Sequence, residues 1–250
     1  MGSQQQTSRC SSSGRIGTEV EVGTLIVRGL LGGASQLVLL AALLLIPAGT
    51  WEWPRAIRFL LTYGVVLFLA IVWLAVVAPA SLEARLEPAI SRKQPVADRI
   101  ATAFIGLAVG GWMVFIPLDV FRLHVFQPPL LFVSRVGAVI GFAGFAVILI
   151  ALHQNAFATP VVRHQSERGH TLVDTGLYRH VRHPFYTGFV VALLGLALWL
   201  ESYAAVIGIV VVVASLVGRI LVEESHLRDT LPGYTDYMRR VRHRLIPGVW

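Results

Sequence analysis

The sequence predicts an all-α, polytopic integral membrane protein with about six transmembrane helices, the last two forming a helical hairpin, and a cytosolic C-terminal helical segment. Composition is the first observation behind this prediction. Apolar residues make up 55% of the 250-residue chain and charged residues only 14%, with a mean hydropathy of +0.69. A typical soluble domain has roughly 25% charged residues. So few charges could not cover a soluble protein of this length, which argues against a soluble enzyme, a disordered chain and a nucleic-acid-binding module.

The second observation is the spacing of the charge-free runs. About 20 helical residues cross a hydrocarbon core of roughly 30 Å. Six runs of 17 to 24 residues contain no Asp, Glu, Lys or Arg: 29–51, 59–82, 100–118, 136–152, 184–200 and 202–218. The last two are separated only by Glu201, which predicts the tight hairpin.

The third observation is the distribution of basic residues. Seventeen of the 21 Lys and Arg residues fall in the N-terminal region, in 83–99, in 153–183 and in the C-terminal segment. The other four are Arg55, Arg58, Arg122 and Arg135. Basic residues accumulate on the cytoplasmic side of membrane proteins. We therefore expect a multi-pass protein with both termini in the cytoplasm.

Composition along the chain predicts three regions. A polar tail over 1–22 is rich in Gln, Ser and Gly and is expected to be disordered. Residues 23–152 form an N-terminal four-helix membrane region, and residues 153–250 form a catalytic region of a loop, the hairpin and C-terminal cytosolic helices. The one cysteine, Cys10, lies in the tail, which excludes an internal disulfide framework and a thiolate zinc site. We expect no bound metal and no nucleic-acid partner.

The polar side chains that could carry chemistry lie at one membrane boundary. A transporter or proton pump usually needs ionisable groups within its spans, and these runs have almost none. The polar residues instead gather in 153–186 and 219–250. We therefore expect a site where the membrane meets the cytoplasm.

Pro184 marks the first of these polar stretches, because it opens an apolar run where a missing N–H costs nothing. The free amides of Phe185 and Tyr186 can then receive an anionic group of a ligand. The basic residues just outside this helix start are Arg179, Arg182 and His183. The alternative is that these are ordinary flanking charges, and that Tyr178 and Tyr186 are interface anchors.

Arg219 and Glu223 mark the second stretch, at the end of the last apolar run. Residues four apart on a helix can pair, so Arg219 either pairs with Glu223 or holds an anionic acceptor. Beyond Pro232-Gly233, aromatic residues and arginines alternate as in an interfacial amphipathic helix facing anionic lipid.

Three glycines give the fourth run a small-residue surface. They are Gly137, Gly141 and Gly144. Such a surface could receive the hydrocarbon chain of a ligand, or it could let two helices pack closely.

The ordered set of motifs resembles the isoprenylcysteine carboxyl methyltransferase family, within a wider group that includes phospholipid N-methyltransferases. The resemblance covers roughly the C-terminal 40% of the chain. Its residues are His170-Thr171-Leu172-Val173, Gly176-Leu177-Tyr178, Arg182-His183-Pro184-x-Tyr186-x-Gly188, Glu223-Glu224, Leu231-x-Gly233-x-x-Tyr237 and Arg244-Leu245-Ile246-Pro247.

This resemblance implies S-adenosylmethionine as the methyl donor and a lipophilic acceptor that reaches the site from the membrane. The implied donor pocket is lined by His170, Leu172, Val173, Gly176, Tyr178, His183, Pro184, Tyr186 and Glu224. The catalytic candidates are Arg182, Arg219 and Glu223. Which of the two neighbouring glutamates faces the donor is open.

The charge of the acceptor group decides whether the reaction needs a base. A carboxylate, with a pKa of about 4, is already ionised at neutral pH and needs only a cation to hold it. An amine or thiol needs a base such as His183 or Glu223. A carboxylate is our first expectation, and a phospholipid N-methyltransferase or thiol S-methyltransferase is the alternative.

Two departures from the eukaryotic members of this family argue against a prenylated protein as substrate. Those members carry an Asn and a His shortly before the loop, where this chain reads Phe-Ala-Thr-Pro-Val-Val over 157–162. They also have more than six spans.

An alternative of another class is an NADPH-dependent, sterol-reductase-like membrane enzyme, because such reductases share a related C-terminal pattern. The basic residues of 239–244 could hold the cofactor's phosphate. The pair Glu223-Glu224 differs from the Arg-, acid- and Cys-rich run of those reductases and favours the methyltransferase. Binding of radiolabelled donor against binding of NADPH separates the two classes.

Overall fold

The computed structural model describes residues 6–88, 90, 94–155 and 172–250, with side chains from residue 22 onward. These residues form helices and turns, and no strand occurs among them. The helices are α1 (Gln6–Ala48), α2 (Pro54–Val77), α3 (Pro79–Leu86), α4 (Val96–Leu118), α5 (Leu131–Gln154), α6 (Pro184–Trp199), α7 (Tyr203–Thr230) and α8 (Tyr234–Arg240). A π-helical turn over Asp119–Leu123 continues α4, and a 3₁₀ turn over Gly176–Arg179 precedes α6.

Five helical segments of the described chain are long and apolar enough to cross a membrane. They are Val22–Ala48, Pro54–Val77, Val96–Leu123, Leu131–Gln154 and Tyr203–Thr230. The all-α, multi-pass prediction is thereby confirmed. The sixth predicted span, α6, has only 16 residues, about 24 Å at 1.5 Å per residue, which is shorter than a hydrocarbon core of roughly 30 Å. A sixth full crossing and the side on which the termini lie stay predictions.

The turn between α6 and α7 is held at the far end of the helix bundle. Ser202 caps α7 by accepting the N–H of Ala205 at 2.9 Å, and its hydroxyl donates to Asp119 at 2.6 Å. Glu201 forms an ion pair with Arg55 at the start of α2. The turn of the predicted hairpin therefore lies level with the start of α2 and the end of α4.

Helices α5 and α6 touch through their backbones along a line of glycines. We call this line the glycine seam; it consists of Gly137, Gly141, Gly144, Gly188 and Gly195. A Cβ atom added to Gly195 would lie 2.1 Å from the nitrogen of Gly141, and one added to Gly144 would lie 2.3 Å from the nitrogen of Ala192. The helix-packing interpretation of these glycines is confirmed, and the seam has no room for a hydrocarbon chain.

The seam joins α5, from the predicted N-terminal membrane region, to the first helix of the predicted catalytic region. The boundaries of those regions, at 22 and 152, stay predictions. Apolar contacts then hold the C-terminal segment on the hairpin, because Leu245 packs against Leu216 and Ile220 of α7, with Tyr186 and Trp250 beside them.

Candidate active site

The start of α6 is bonded to the C-terminal segment through main-chain atoms. Pro184 is the first residue of α6 and His183 is its N-cap. The backbone N–H of Arg182 donates to the carbonyl of His243, and that of His183 to the carbonyl of Arg244, both at 2.9 Å. Two segments far apart in sequence thus form one wall of a site.

Glu224 links three basic side chains at the centre of this wall. Its Oε1 accepts from Nε of Arg182 at 2.7 Å and lies 3.1 Å from Nε2 of His183, while its Oε2 accepts from Nε of Arg244 at 3.0 Å. An ionised carboxylate only accepts hydrogen bonds, so Nε2 of His183 carries the proton. Only 3% of Glu224 is exposed. Both of its oxygens are therefore engaged within the protein.

Arg182 has a similar structural task. Its Nη1 donates to the carbonyls of Val241 and Arg242, at 3.0 and 3.2 Å, in addition to the bond from Nε to Glu224. The sequence suggested Arg182 as catalytic and Glu224 as donor-binding. Through these contacts both residues hold the C-terminal segment against the hairpin, and their catalytic and donor-binding roles stay predictions.

Glu223 is the more accessible of the two neighbouring glutamates. Its side chain is 22% exposed, against 4% for Glu224. Its Oε2 accepts from the hydroxyl of Tyr186 at 2.8 Å, and its Oε1 lies 4.0 Å from Nδ1 of His183. Of the two carboxylates, Glu223 is thus the one placed to meet a ligand, beside the rings of His183 and Tyr186, whose centroids are 5.7 Å apart.

Two other predicted site residues, Gly176 and Tyr178, lie in the turn before α6. Gly176 has a φ of +59°, in the left-handed region that favours glycine, and a Cβ atom there would meet the side chain of Gln154. That side chain accepts the N–H of Leu177 at 2.8 Å. The hydroxyl of Tyr237 donates to the carbonyl of Tyr178 at 2.7 Å. Burial raises the pKa of both tyrosines, so they stay protonated at neutral pH.

The remaining predicted donor-pocket residues precede this turn. The side chain of Leu172 packs on a cluster formed by Leu231, Tyr234, Tyr237 and Val241. Val173 is half-buried. His170 and residues 157–162 lie outside the described residues.

Arg219 contacts a carboxylate that sequence reasoning did not consider. Arg219 is 2% exposed, and its guanidinium forms an ion pair with Asp98 of α4. The same group donates to Thr102 Oγ1 at 2.9 Å, and Gln94 donates to Asp98 at 2.7 Å. Arg219 does pair, as an arginine near a membrane span must, but its partner is Asp98 on another helix. The sequence had left Glu223 of its own helix or an anionic acceptor as the two possible partners. A lone acid at the start of an apolar span was the signal that could have identified it.

Helix α3 brings another cation to the site. The guanidinium of Arg85 lies 4.7 Å from the ring centroid of Phe185, in the first turn of α6. Burial lowers the pKa of Arg85 to about 10, and the nearby Tyr178 and Tyr186 oppose that shift. Arg85 therefore stays charged at neutral pH. The sequence indicated Arg85 only as a charge that flanks a membrane span. Arg179, which was expected beside the site, is exposed.

The sequence of this region matches a family model. Residues 136–229 match the sequence model of the isoprenylcysteine carboxyl methyltransferase (ICMT) family. This segment is an ICMT-family domain. It begins in α5 and ends in α7, so it includes the glycine seam, the start of α6 and both glutamates. The match supports a membrane methyltransferase of the isoprenylcysteine type. No curated protein gives a significant sequence match.

Proposed function

We propose that the protein transfers a methyl group from S-adenosylmethionine to the carboxylate of a lipophilic acceptor at the cytoplasmic face of the membrane. One observation carries this proposal. The ICMT-family domain brings His183 and Tyr186, at the start of α6, against Glu223, near the end of the long apolar α7. A polar, partly accessible cluster thus lies where apolar helices end.

The residues of this cluster fit the parts of the donor. S-adenosylmethionine has a positively charged sulfur, an aromatic base and an amino-acid carboxylate. Glu223 offers a negative charge beside the ring of Tyr186, and both attract a cation. The first-turn amides of Phe185 and Tyr186 have no partner within their helix and can receive a carboxylate. The proposed donor pocket also keeps the other implied residues, which are His170, Leu172, Val173, Gly176, Tyr178, His183, Pro184 and Glu224.

Methyl transfer requires the protein mainly to align the donor and the acceptor. When bound, the donor supplies a methyl group on a positively charged sulfur, and the carbon–sulfur bonding electrons stay with the sulfur as the acceptor oxygen takes the methyl. An ionised carboxylate gives up no proton, so no base is needed. The protein's own residues hold the two reactants in line and exclude water.

Each catalytic candidate has a separate part in this proposal. Arg219 supplies the cation that receives the acceptor's carboxylate, because it lies one helical turn from Glu223 on the same face of α7. Glu223 stabilises positive charge on the donor side. Arg182 acts indirectly, since its hydrogen bonds fix Glu224 and the C-terminal segment.

The experiment uses the purified full-length chain in lipid nanodiscs with S-adenosylmethionine labelled in its methyl group. The acceptors are an S-prenylated cysteine with a free carboxylate, the same molecule with its carboxylate already esterified, and a cysteine derivative without the prenyl tail. We expect base-labile label only on the first. Label on an aminophospholipid or a lipophilic thiol, and none on the carboxylate, would support the alternative acceptors. NADPH binding without donor binding would support the reductase class.

A further inference from the structure

The guanidinium of Arg244 is held at one edge and accessible at the other. Its Nε donates to Oε2 of Glu224 at 3.0 Å, and its Cζ lies 4.8 Å from the ring centroid of Trp250. The side chain is 25% exposed, and among the described residues neither of its Nη atoms has a hydrogen-bond or ion-pair partner. We propose that Arg244 is a donor-binding residue whose Nη groups receive the amino-acid carboxylate of S-adenosylmethionine. This inference rests on the proposed function.

The two other basic side chains at Glu224 are closed to a ligand. Arg182 is 7% exposed, and its Nε and Nη1 are bonded to Glu224 and to two backbone carbonyls. His183 is 6% exposed and directs its Nε2 at the same carboxylate. A guanidinium that is bonded only through Nε keeps its Nη1–Nη2 edge for a carboxylate, which it can hold through two parallel hydrogen bonds. Of the three basic groups, Arg244 is therefore the one that can bind a ligand.

Trp250 fixes the plane of this guanidinium. The carbonyl oxygen of Trp250 accepts the N–H groups of Arg244, Leu245 and Ile246 at 2.8, 3.0 and 3.3 Å. The turn over these residues thus carries both the guanidinium and the ring beneath it. Because the side chain is already oriented, less conformational freedom is lost when a carboxylate binds.

The position of Arg244 places it beside the start of α6. Its carbonyl accepts the N–H of His183, the N-cap of that helix, at 2.9 Å. The first-turn amides of the helix favour an anion at this end. A carboxylate near Arg244 is therefore attracted by the side chain and by the helix terminus together.

The charges around the two glutamates differ in sign. Glu224 is a single carboxylate bonded to two arginines, Arg182 and Arg244, which leaves one positive charge in excess. Glu223 instead accepts from the neutral hydroxyl of Tyr186 and brings a negative charge. S-adenosylmethionine has a positive sulfur and a carboxylate joined by a short carbon chain. Its sulfur directed at Glu223 and its carboxylate directed at Arg244 would match the charge at each end.

The test measures the affinity of two donors by calorimetry on the full-length protein in nanodiscs. The donors are S-adenosylmethionine and decarboxylated S-adenosylmethionine, which lacks only the carboxylate. We expect the wild type to bind the decarboxylated donor at least tenfold more weakly. Arg244→Gln should weaken binding of S-adenosylmethionine at least tenfold and change binding of the decarboxylated donor by less than about twofold. Arg244→Lys, which keeps the charge but not the paired donors, should lie between the two.

Two further comparisons separate recognition from folding. Arg228→Gln removes the same charge from an exposed position in the last turn of α7, so it should leave both affinities unchanged. Trp250→Leu keeps the main-chain oxygen and the bond from Arg244 to Glu224 but removes the ring, and it serves if Arg244→Gln does not fold. It should weaken binding of S-adenosylmethionine several-fold, whereas Trp250→Phe should stay within about twofold of the wild type.

The outcomes distinguish this inference from the function on which it rests. Equal affinity of the wild type for the two donors would overturn the inference, even if the protein methylates a carboxylate. An equal loss of both donors in Arg244→Gln would make Arg244 a structural residue only. A raised acceptor KM with unchanged donor affinity would assign Arg244 to the acceptor and overturn the donor role. If the wild type binds neither donor, the proposed function fails as well.

Discussion

Replacing Gly195 with alanine tests how closely the site depends on the glycine seam. The added Cβ atom would lie 2.1 Å from the nitrogen and 2.5 Å from the Cα atom of Gly141, and 2.6 Å from the carbonyl oxygen of Gly137. All three are backbone atoms, so no side chain can rotate away. Ordinary contact begins at 3.4 Å, and α5 and α6 must therefore separate by about 1.3 Å.

Two magnitudes follow from this separation. Overpacking of a close interface typically costs about 1–3 kcal/mol. Since α6 begins at Pro184, a shift of the helix also moves His183 and Tyr186 relative to Glu223. A misplacement of about 1 Å can cost roughly a hundredfold in rate. We expect Gly195→Ala to lower both the thermal midpoint and the turnover, the latter by about ten- to a hundredfold.

Gly110→Ala is the matched control, because nothing lies within 4 Å of a Cβ atom at that position of α4. Alanine in a helix is favoured over glycine by roughly 0.5–1 kcal/mol, so this variant should be at least as stable as the wild type and equally active. Methyl transfer and thermal unfolding of both variants in nanodiscs provide the measurement. Equal stability and turnover for the two variants would refute the reasoning.

Three other predictions concern charge and topology. Glu224→Gln should lower the thermal midpoint strongly, because breaking a buried ion pair costs about 3–5 kcal/mol. Glu223→Gln should keep the midpoint and lose about ten- to a hundredfold in donor affinity. Calorimetry and thermal unfolding provide the measurement, and similar behaviour of the two variants would contradict this prediction. Burial raises the pKa of Tyr237 above its ordinary value of about 10, so the stability that its phenol contributes is fully present below pH 10 and is lost at higher pH. Tyr237→Phe should therefore reduce the fall in thermal midpoint between pH 9 and pH 11. An unchanged fall would count against this prediction. Reporter fusions after Trp250 and near Trp53 should report opposite sides of the membrane, with the former cytoplasmic; a non-cytoplasmic signal at Trp250 would remove the proposed orientation.

The sequence was sufficient to predict the helical class, because that class depends on local patterns. Charge-free runs determine which segments can lie in lipid, and Pro184 determines where α6 begins. The neighbouring polar residues then identify the boundary at which chemistry can occur. The hairpin was also predictable, since a single polar residue, Glu201, interrupts two apolar runs.

The partners of individual charged residues could not be predicted, because they depend on how helices distant in sequence pack. Arg219 and Glu223 satisfy the spacing rule for a helical pair, yet α4 brings Asp98 to Arg219 from 121 positions away. The same limit applies to Arg182, because its bonds to Glu224 and to two carbonyls of the C-terminal segment depend on the folded chain. Its carbonyl partners in the C-terminal segment have no sequence signature at all.

The bonds between residues 182–183 and 243–244 have a consequence for how homologues of this protein can diverge. Every amino acid has a carbonyl group, so substitutions at Val241, Arg242 or His243 leave the acceptors in place. The segment can therefore change its side chains while keeping its position beside α6, with Arg244 the exception because its own side chain bonds to Glu224. The match to the family ends at residue 229, but the architecture of the site continues past it. The end of the family match is therefore not the end of the structural unit.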